Sequence, residues 1–132
     1  MRKFDQYCSA LRILELAPGK DYSDTYIVSG LKDKFVLQFE LSWKVMKETL
    51  VMKGVIESSL SSPRSVLKHA VMNFPELDDA VWLEMLEKRN SSIHMYDEEL
   101  VTSFVPVIIK RFIPEFQKLE KVIRKELEEG LK

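Results

Sequence analysis

One cysteine, four glycines and five prolines are all that 132 residues provide of the types that punctuate or cross-link a chain. A lone Cys8 closes no intrachain disulfide, so nothing points to an oxidising compartment. A catalytic thiol needs a neighbouring base and a depressed pKa. The residues around Cys8 offer neither, and it reads as a small apolar side chain on a helix. Long hydrophobic runs are also missing, so no segment is expected to span a bilayer. Met1-Arg2-Lys3-Phe4-Asp5 lacks the apolar stretch of a signal peptide. A cytoplasmic protein without membrane contact is expected. Nor is there an excess of either charge: 20 basic against 21 acidic residues leave a net −1. That balance argues against a chain holding nucleic acid mainly by backbone electrostatics, although it leaves room for a local basic cleft.

What is present is an ordinary globular mixture, 45% hydrophobic and 31% charged. The length fits one continuous core, so residues 1–132 are expected to form a single domain. Phe4, Tyr7, Leu11 and Leu14 repeat at helical spacing, and Pro18-Gly19 should stop that helix. Asp21 through Asp24 offer caps for a second, long helix over about Tyr26 to Met52, with one wide apolar face and Gly54 at its end. Ser62-Pro63 is an N-cap followed by proline at the first helical position. That third helix should run to about Met72, before Asn73 and Pro75. A fourth opens at Asp78 or Asp79, and Ser91-Ser92 weakens it. Asp97-Glu98-Glu99 resembles the acidic first turn of a fifth. Leu100, Phe104, Ile108, Phe112, Phe116, Leu119 and Ile123 continue it, with Pro106 and Pro114 expected to kink or break it. Nothing alternates with period two for long. The expected fold is all-α, an up-and-down bundle of four to five helices.

The segment Arg89–Tyr96 concentrates polar and titratable groups beside a helix junction. His94 titrates near neutrality and suits proton transfer. Arg89 offers planar, bidentate donors to a phosphate. Tyr96 can donate a hydrogen bond, stack on a base or accept a transferred group on its hydroxyl. Arg89 and Tyr96 share one helical stripe and Asn90 and His94 a neighbouring one, about 100° round. One copy supplies one Arg and one His, so a site needing an acid, a base and two phosphate contacts would require a dimer. The plainer reading is a capped helix end with an Arg/Tyr brace and a satisfied histidine.

The run Arg89-Asn90-x-x-x-His94-x-Tyr96 followed by Asp97-Glu98 resembles the signature of the HEPN-domain family, in its nucleotidyltransferase substrate-binding protein branch. The stretch Phe39-Glu40-Leu41-Ser42-Trp43-Lys44-Val45-Met46-Lys47-Glu48-Thr49-Leu50 resembles that branch's Phe-Glu-Leu-x-Trp-Lys helix. Ser62-Pro63-Arg64 matches its next helix start, and Trp82, Met85 and Leu86 stand in order before the arginine. The resemblance implies a helical bundle that dimerises, without cofactor or metal, as the partner of a minimal nucleotidyltransferase in a two-component, toxin–antitoxin-type module. In toxin members it implies a metal-independent ribonuclease, silenced by AMP transfer to the motif tyrosine. Carried onto this chain, Arg89 would neutralise the scissile phosphate of RNA and His94 would be its general acid or base. Asn90, Glu40 and Arg64 would bind nucleotide or position the motif, and Tyr96 would be the modified residue. Gln38 stands where many relatives carry arginine, which removes a possible cationic contact, and Lys68 stands where an arginine is common on the third helix.

For the remaining residues the structural reading leads. Trp43 and Trp82 read as core or interface anchors, Glu40 as a buried ion-pair partner and His69, lacking a second ligand at metal spacing, as a surface residue. The mixed-charge run Lys118–Glu129 reads as a solvated face. Three functions compete: a nucleotidyltransferase-binding subunit with no chemistry of its own, a ribonuclease, and an inert helical scaffold. The scaffold is favoured if Arg89 and His94 are buried and fully paired within one protomer.

Overall fold

The computed structural model describes residues 2–130. Among them every regular element is helical: α1 spans Arg2–Leu14, α2 Thr25–Met52, α3 Pro63–Asn73 and α4 Asp79–Ser91. A continuous helical run over residues 97–130 forms α5. Short 3-10 turns occupy Glu57–Ser59 and Ser92–His94. The all-α bundle expected from the sequence is what the chain forms, and none of its helices is long and apolar enough to cross a membrane among the described residues.

Local chemistry sets most of the boundaries. The Asp24 carboxylate accepts the Tyr26 N–H at 2.8 Å and starts α2. At the other end Gly54 takes φ +95°, and Val55 N–H reaches back five residues to the Leu50 carbonyl at 3.0 Å. That left-handed closure is open to glycine at little cost. Ser62 and Ser65 cap each other at the head of α3, with Pro63 at its first position. Asp78 caps α4. The first helix ends at Leu14, earlier than Pro18, and the turn that follows is closed by Leu16 N–H to Ile13 and Ala17 N–H to Leu14.

Neither Pro106 nor Pro114 breaks α5. The helix instead widens to π turns over Leu100–Phe104 and Ile108–Phe112, each ending two residues before a proline. A proline lacks an N–H and crowds the carbonyl four residues back. Here those carbonyls, of Thr102 and Lys110, lie inside the widened turns, and Val105 and Ile113 donate five residues back to Leu100 and Ile108.

The long helix α2 is the axis of the bundle, about 42 Å at 1.5 Å per residue. An aromatic hub ties it to α4 and α5. Phe35 meets Phe104 and Phe112, each at 5.2 Å between ring centres, Phe39 approaches Trp82 and Trp82 stands edge-on to Phe116 at 5.7 Å. The buried Tyr7 hydroxyl donates to the Phe116 carbonyl at 2.6 Å and fastens α1 to α5. Gln38, on the wide buried face of α2, is fully buried and donates to the Tyr7 carbonyl. A positively charged side chain there would face the α1 seam and not the motif. Glu120, inside the supposedly solvated run, is also buried. Its carboxylate pairs with Arg12 of α1 and with Arg124 at 3.2 Å, because the core-facing stripe of α5 reaches that position.

Candidate functional site

Trp82 anchors α4 in the aromatic hub, and Arg89 follows it by seven residues, two turns toward the end of the helix. On α2, Phe39 enters the same hub while the next residue, Glu40, stands at the surface of the bundle. Glu40 and Arg89 therefore meet above the hub, where Arg89 Nη2 lies 2.5 Å from Glu40 Oε1. The other oxygen, Oε2, accepts from the Trp43 indole N–H at 3.0 Å, one helical turn along α2. Arg89 Nη1 donates to the Asn90 side-chain oxygen at 3.1 Å. Glu40 and Asn90 thus flank one guanidinium, and Trp43 holds Glu40 in turn. Since a guanidinium carries five N–H donors, the remainder stay free for a ligand. The pair is partly accessible, with side-chain exposures of 32% for Arg89 and 25% for Glu40. Lys44 lies over the Trp43 ring at 5.9 Å and adds positive charge beside the group.

The helix ends just past Arg89. The hydroxyl of Ser92, itself buried, donates to the Arg89 carbonyl at 3.0 Å, satisfying one of the last carbonyls of α4. The chain then turns through Ser92–His94, which leaves His94 exposed with no hydrogen bond to another side chain among the described residues. Tyr96 caps the start of α5 through its backbone and is 83% exposed, so its hydroxyl faces solvent. Ile93 is exposed beside them. Arg89 and Lys88 in the last turn of α4 are favourably placed against the helix dipole.

The structure thus brings Glu40, Arg89 and Asn90 into one bonded group and holds His94 and Tyr96 on an open segment next to it. Arg64 is exposed in the first turn of α3 and makes no ion pair with any of them among the described residues. The scaffold reading required both Arg89 and His94 to be paired and buried; Arg89 is paired, and His94 is neither. Glu40 is the ion-pair partner expected of it, but its partner is the motif arginine. Trp43 is half-buried and holds Glu40, whereas Trp82 is a core anchor. The i, i+3 spacing of Glu40 and Trp43 was the sequence signal for that contact.

Cys8 takes no part. Burial, with the Glu120 carboxylate beside it, pushes its thiol up to about 11, so it stays protonated near neutrality.

The sequence pattern of the family described as "nucleotidyltransferase substrate binding protein like" matches residues 2–125. No curated protein matches the chain significantly.

Proposed function

The chain belongs to the nucleotidyltransferase substrate binding protein like family, and from that membership we propose that it is the partner subunit of a nucleotidyltransferase, in a two-component module of toxin–antitoxin type. The observation that carries the reading is the Arg89 guanidinium on α4, flanked by Glu40 and Asn90, seven residues before the exposed Tyr96. An oriented guanidinium with spare donors suits a phosphate, and orienting it beforehand reduces the entropy lost on binding. Two copies associating as a homodimer would bring two such groups to one cleft. Tyr96 is the nucleotide acceptor in this proposal. Its phenolic oxygen attacks the α-phosphorus of ATP, the bond to pyrophosphate breaks, pyrophosphate leaves, and the phenol proton passes to a base on the nucleotidyltransferase. The net charge of −1 fits a protein and nucleotide partner better than a long polyanion.

A second reading, a metal-independent endoribonuclease, is favoured by His94, whose imidazole is exposed and uncommitted. There His94 would take the proton of an RNA 2′-hydroxyl, the 2′-oxygen would attack phosphorus and the 5′-oxygen would leave with a proton. Arg89 would hold the phosphoryl charge, and AMP on Tyr96 would block the cleft.

The test is growth and intact mass of the protein expressed with and without the nucleotidyltransferase encoded beside it. Copurification without growth arrest, with AMP-sized mass lost in Tyr96→Phe, supports the partner reading. Arrest relieved by His94→Ala establishes the ribonuclease. A harmless, unmodified protein that does not copurify refutes both.

A further inference from the structure

At the other end of α2 the α1–α2 seam opens into a groove of about 370 Å³. Its rim carries Ile13 (53% exposed), Leu16 (59%) and Tyr26 (88%), a concentration of apolar surface that solvent alone does not explain. The floor is Gly30, in the interior of a long helix where glycine costs about 1 kcal/mol relative to alanine. No backbone demand requires it there, since Gly30 lacks the positive φ of Gly19 and Gly54. A side chain at residue 30 would stand in the groove, so glycine keeps the floor low. The only charges lining the groove are Lys20 and Lys34, and neither is paired with an acid among the described residues.

That composition selects the occupant. An isologous contact between two copies through this groove would bring its two lysines, Lys20 and Lys34, against the same two lysines of the other copy with no acid in the lining, a like-charge juxtaposition that opposes self-association. A small-molecule pocket would point convergent polar groups at its ligand, whereas the Tyr22 hydroxyl is spent on the Ala17 carbonyl at 2.6 Å and the aliphatic side chains stand outward. A helix from another protein, apolar on one face and flanked by Asp or Glu, meets both demands. We infer that this groove is where the nucleotidyltransferase partner docks, through an acidic amphipathic helix. The inference rests on the partner reading above. Ten residues, about 15 Å of helix axis, separate Gly30 from Glu40, so docking there leaves the Arg89–Tyr96 segment uncovered by the same contact.

The experiment is titration of the full chain with the nucleotidyltransferase encoded beside it, at low and high salt, for wild type, Gly30→Leu, Lys34→Glu and, as a charge-matched control on the exposed face of α5 outside the groove, Lys121→Glu. A Cβ at residue 30 meets only the Lys34 ammonium at 3.9 Å, an ordinary contact, so Gly30→Leu should fold with a melting temperature at or above wild type. Expected is a loss of affinity of at least about tenfold for Gly30→Leu and Lys34→Glu, against little change for Lys121→Glu. The salt dependence should shrink in Lys34→Glu. Wild-type affinity in both groove variants overturns the docking site and leaves the partner reading intact. No binding by wild type removes both. A dimer of the chain alone that dissociates in Gly30→Leu places a second copy in the groove and also overturns the inference.

Discussion

Glu115 is the residue whose removal should cost the fold most for its size. Its side chain is 4% exposed and makes three polar contacts. Oε2 accepts from the Trp82 indole N–H at 2.9 Å and from the Asp78 backbone N–H at 2.8 Å, and Oε1 pairs with Lys118 at 3.0 Å. It therefore holds both the start of α4 and the centre of the aromatic hub. In Glu115→Ala the Trp82 N–H, on a fully buried ring, loses its acceptor, which costs about 1–3 kcal/mol. Asp78 lies at the surface, so its N–H regains water and costs less, about 1 kcal/mol. Lys118 is 44% exposed, so its ion pair adds at most about 1 kcal/mol. The sum, about 2–5 kcal/mol, corresponds to a fall in melting temperature of roughly 6–20 °C for a chain of this size. Glu115→Gln keeps one acceptor oxygen and should lose about half as much. Urea denaturation of Glu115→Ala, Trp82→Phe and the double variant tests this, with a coupling of at least about 1 kcal/mol expected between the two sites. Additive effects, or a loss under about 0.5 kcal/mol for Glu115→Ala, would refute the reasoning.

Three further outcomes follow from the same structure. Trp43→Phe keeps the ring but removes the donor to Glu40. It should lower affinity for AMP by about three- to tenfold and leave urea stability close to wild type, and an affinity equal to wild type would show that Trp43 does not orient Arg89 through Glu40. Burial alone would raise the Glu120 carboxyl, but hydrogen bonds from Arg12, Cys8 and Arg124 hold it below its ordinary range. A depressed folded-state value contributes stability that is present above the unfolded value and lost as pH falls through the folded one. Stability measured from neutral pH into acid should therefore fall less steeply in Glu120→Gln than in wild type, and an identical slope would contradict the pairing. Cys8, raised to about 11, should be alkylated by iodoacetamide at pH 8 far more slowly than free cysteine, and equal rates would show an exposed, ordinary thiol.

The boundaries that sequence reading placed well are those set by neighbours along the chain. Asp24, Gly54, Ser62-Pro63 and Asp78 each act within a few residues through a cap or a left-handed turn, so their chemistry is legible without knowing the fold. Glu120 and Glu115 were not legible in the same way. Each is polar, and whether it is buried depends on a helix more than thirty residues away: Arg12 for Glu120 and Trp82 for Glu115. The motif itself stands between these cases. Arg89, Asn90, His94 and Tyr96 could be picked out by residue type and spacing, but the Glu40–Arg89 contact is made by two helices, and only the packing of Phe39 and Trp82 in one hub brings them together.

The C-terminal helix shows how a pattern can be read at the wrong period. Leu100, Phe104, Ile108, Phe112, Phe116 and Glu120 recur at every fourth residue, and all six are buried. On an α-helix a step of four overshoots a full turn by about 40°, so five such steps would carry the stripe about 200° round, away from the core. A π turn closes five residues back and contains more residues than an α turn, so each one reverses part of that drift. The two π turns lie at Leu100–Phe104 and Ile108–Phe112, within the period-four stretch, and they keep Phe104 and Phe112 both against Phe35. From Phe116 onward the helix is α, the drift resumes, and Glu120 emerges at the edge of the stripe, where Arg12 and Arg124 pair with it. Pro106 and Pro114 follow the widened turns at the same spacing of eight, at the two places where a missing N–H and a crowding ring disturb the ladder least. An apolar period of four, with prolines at the same multiple, is thus itself a sequence signal for a helix that alternates α and π turns.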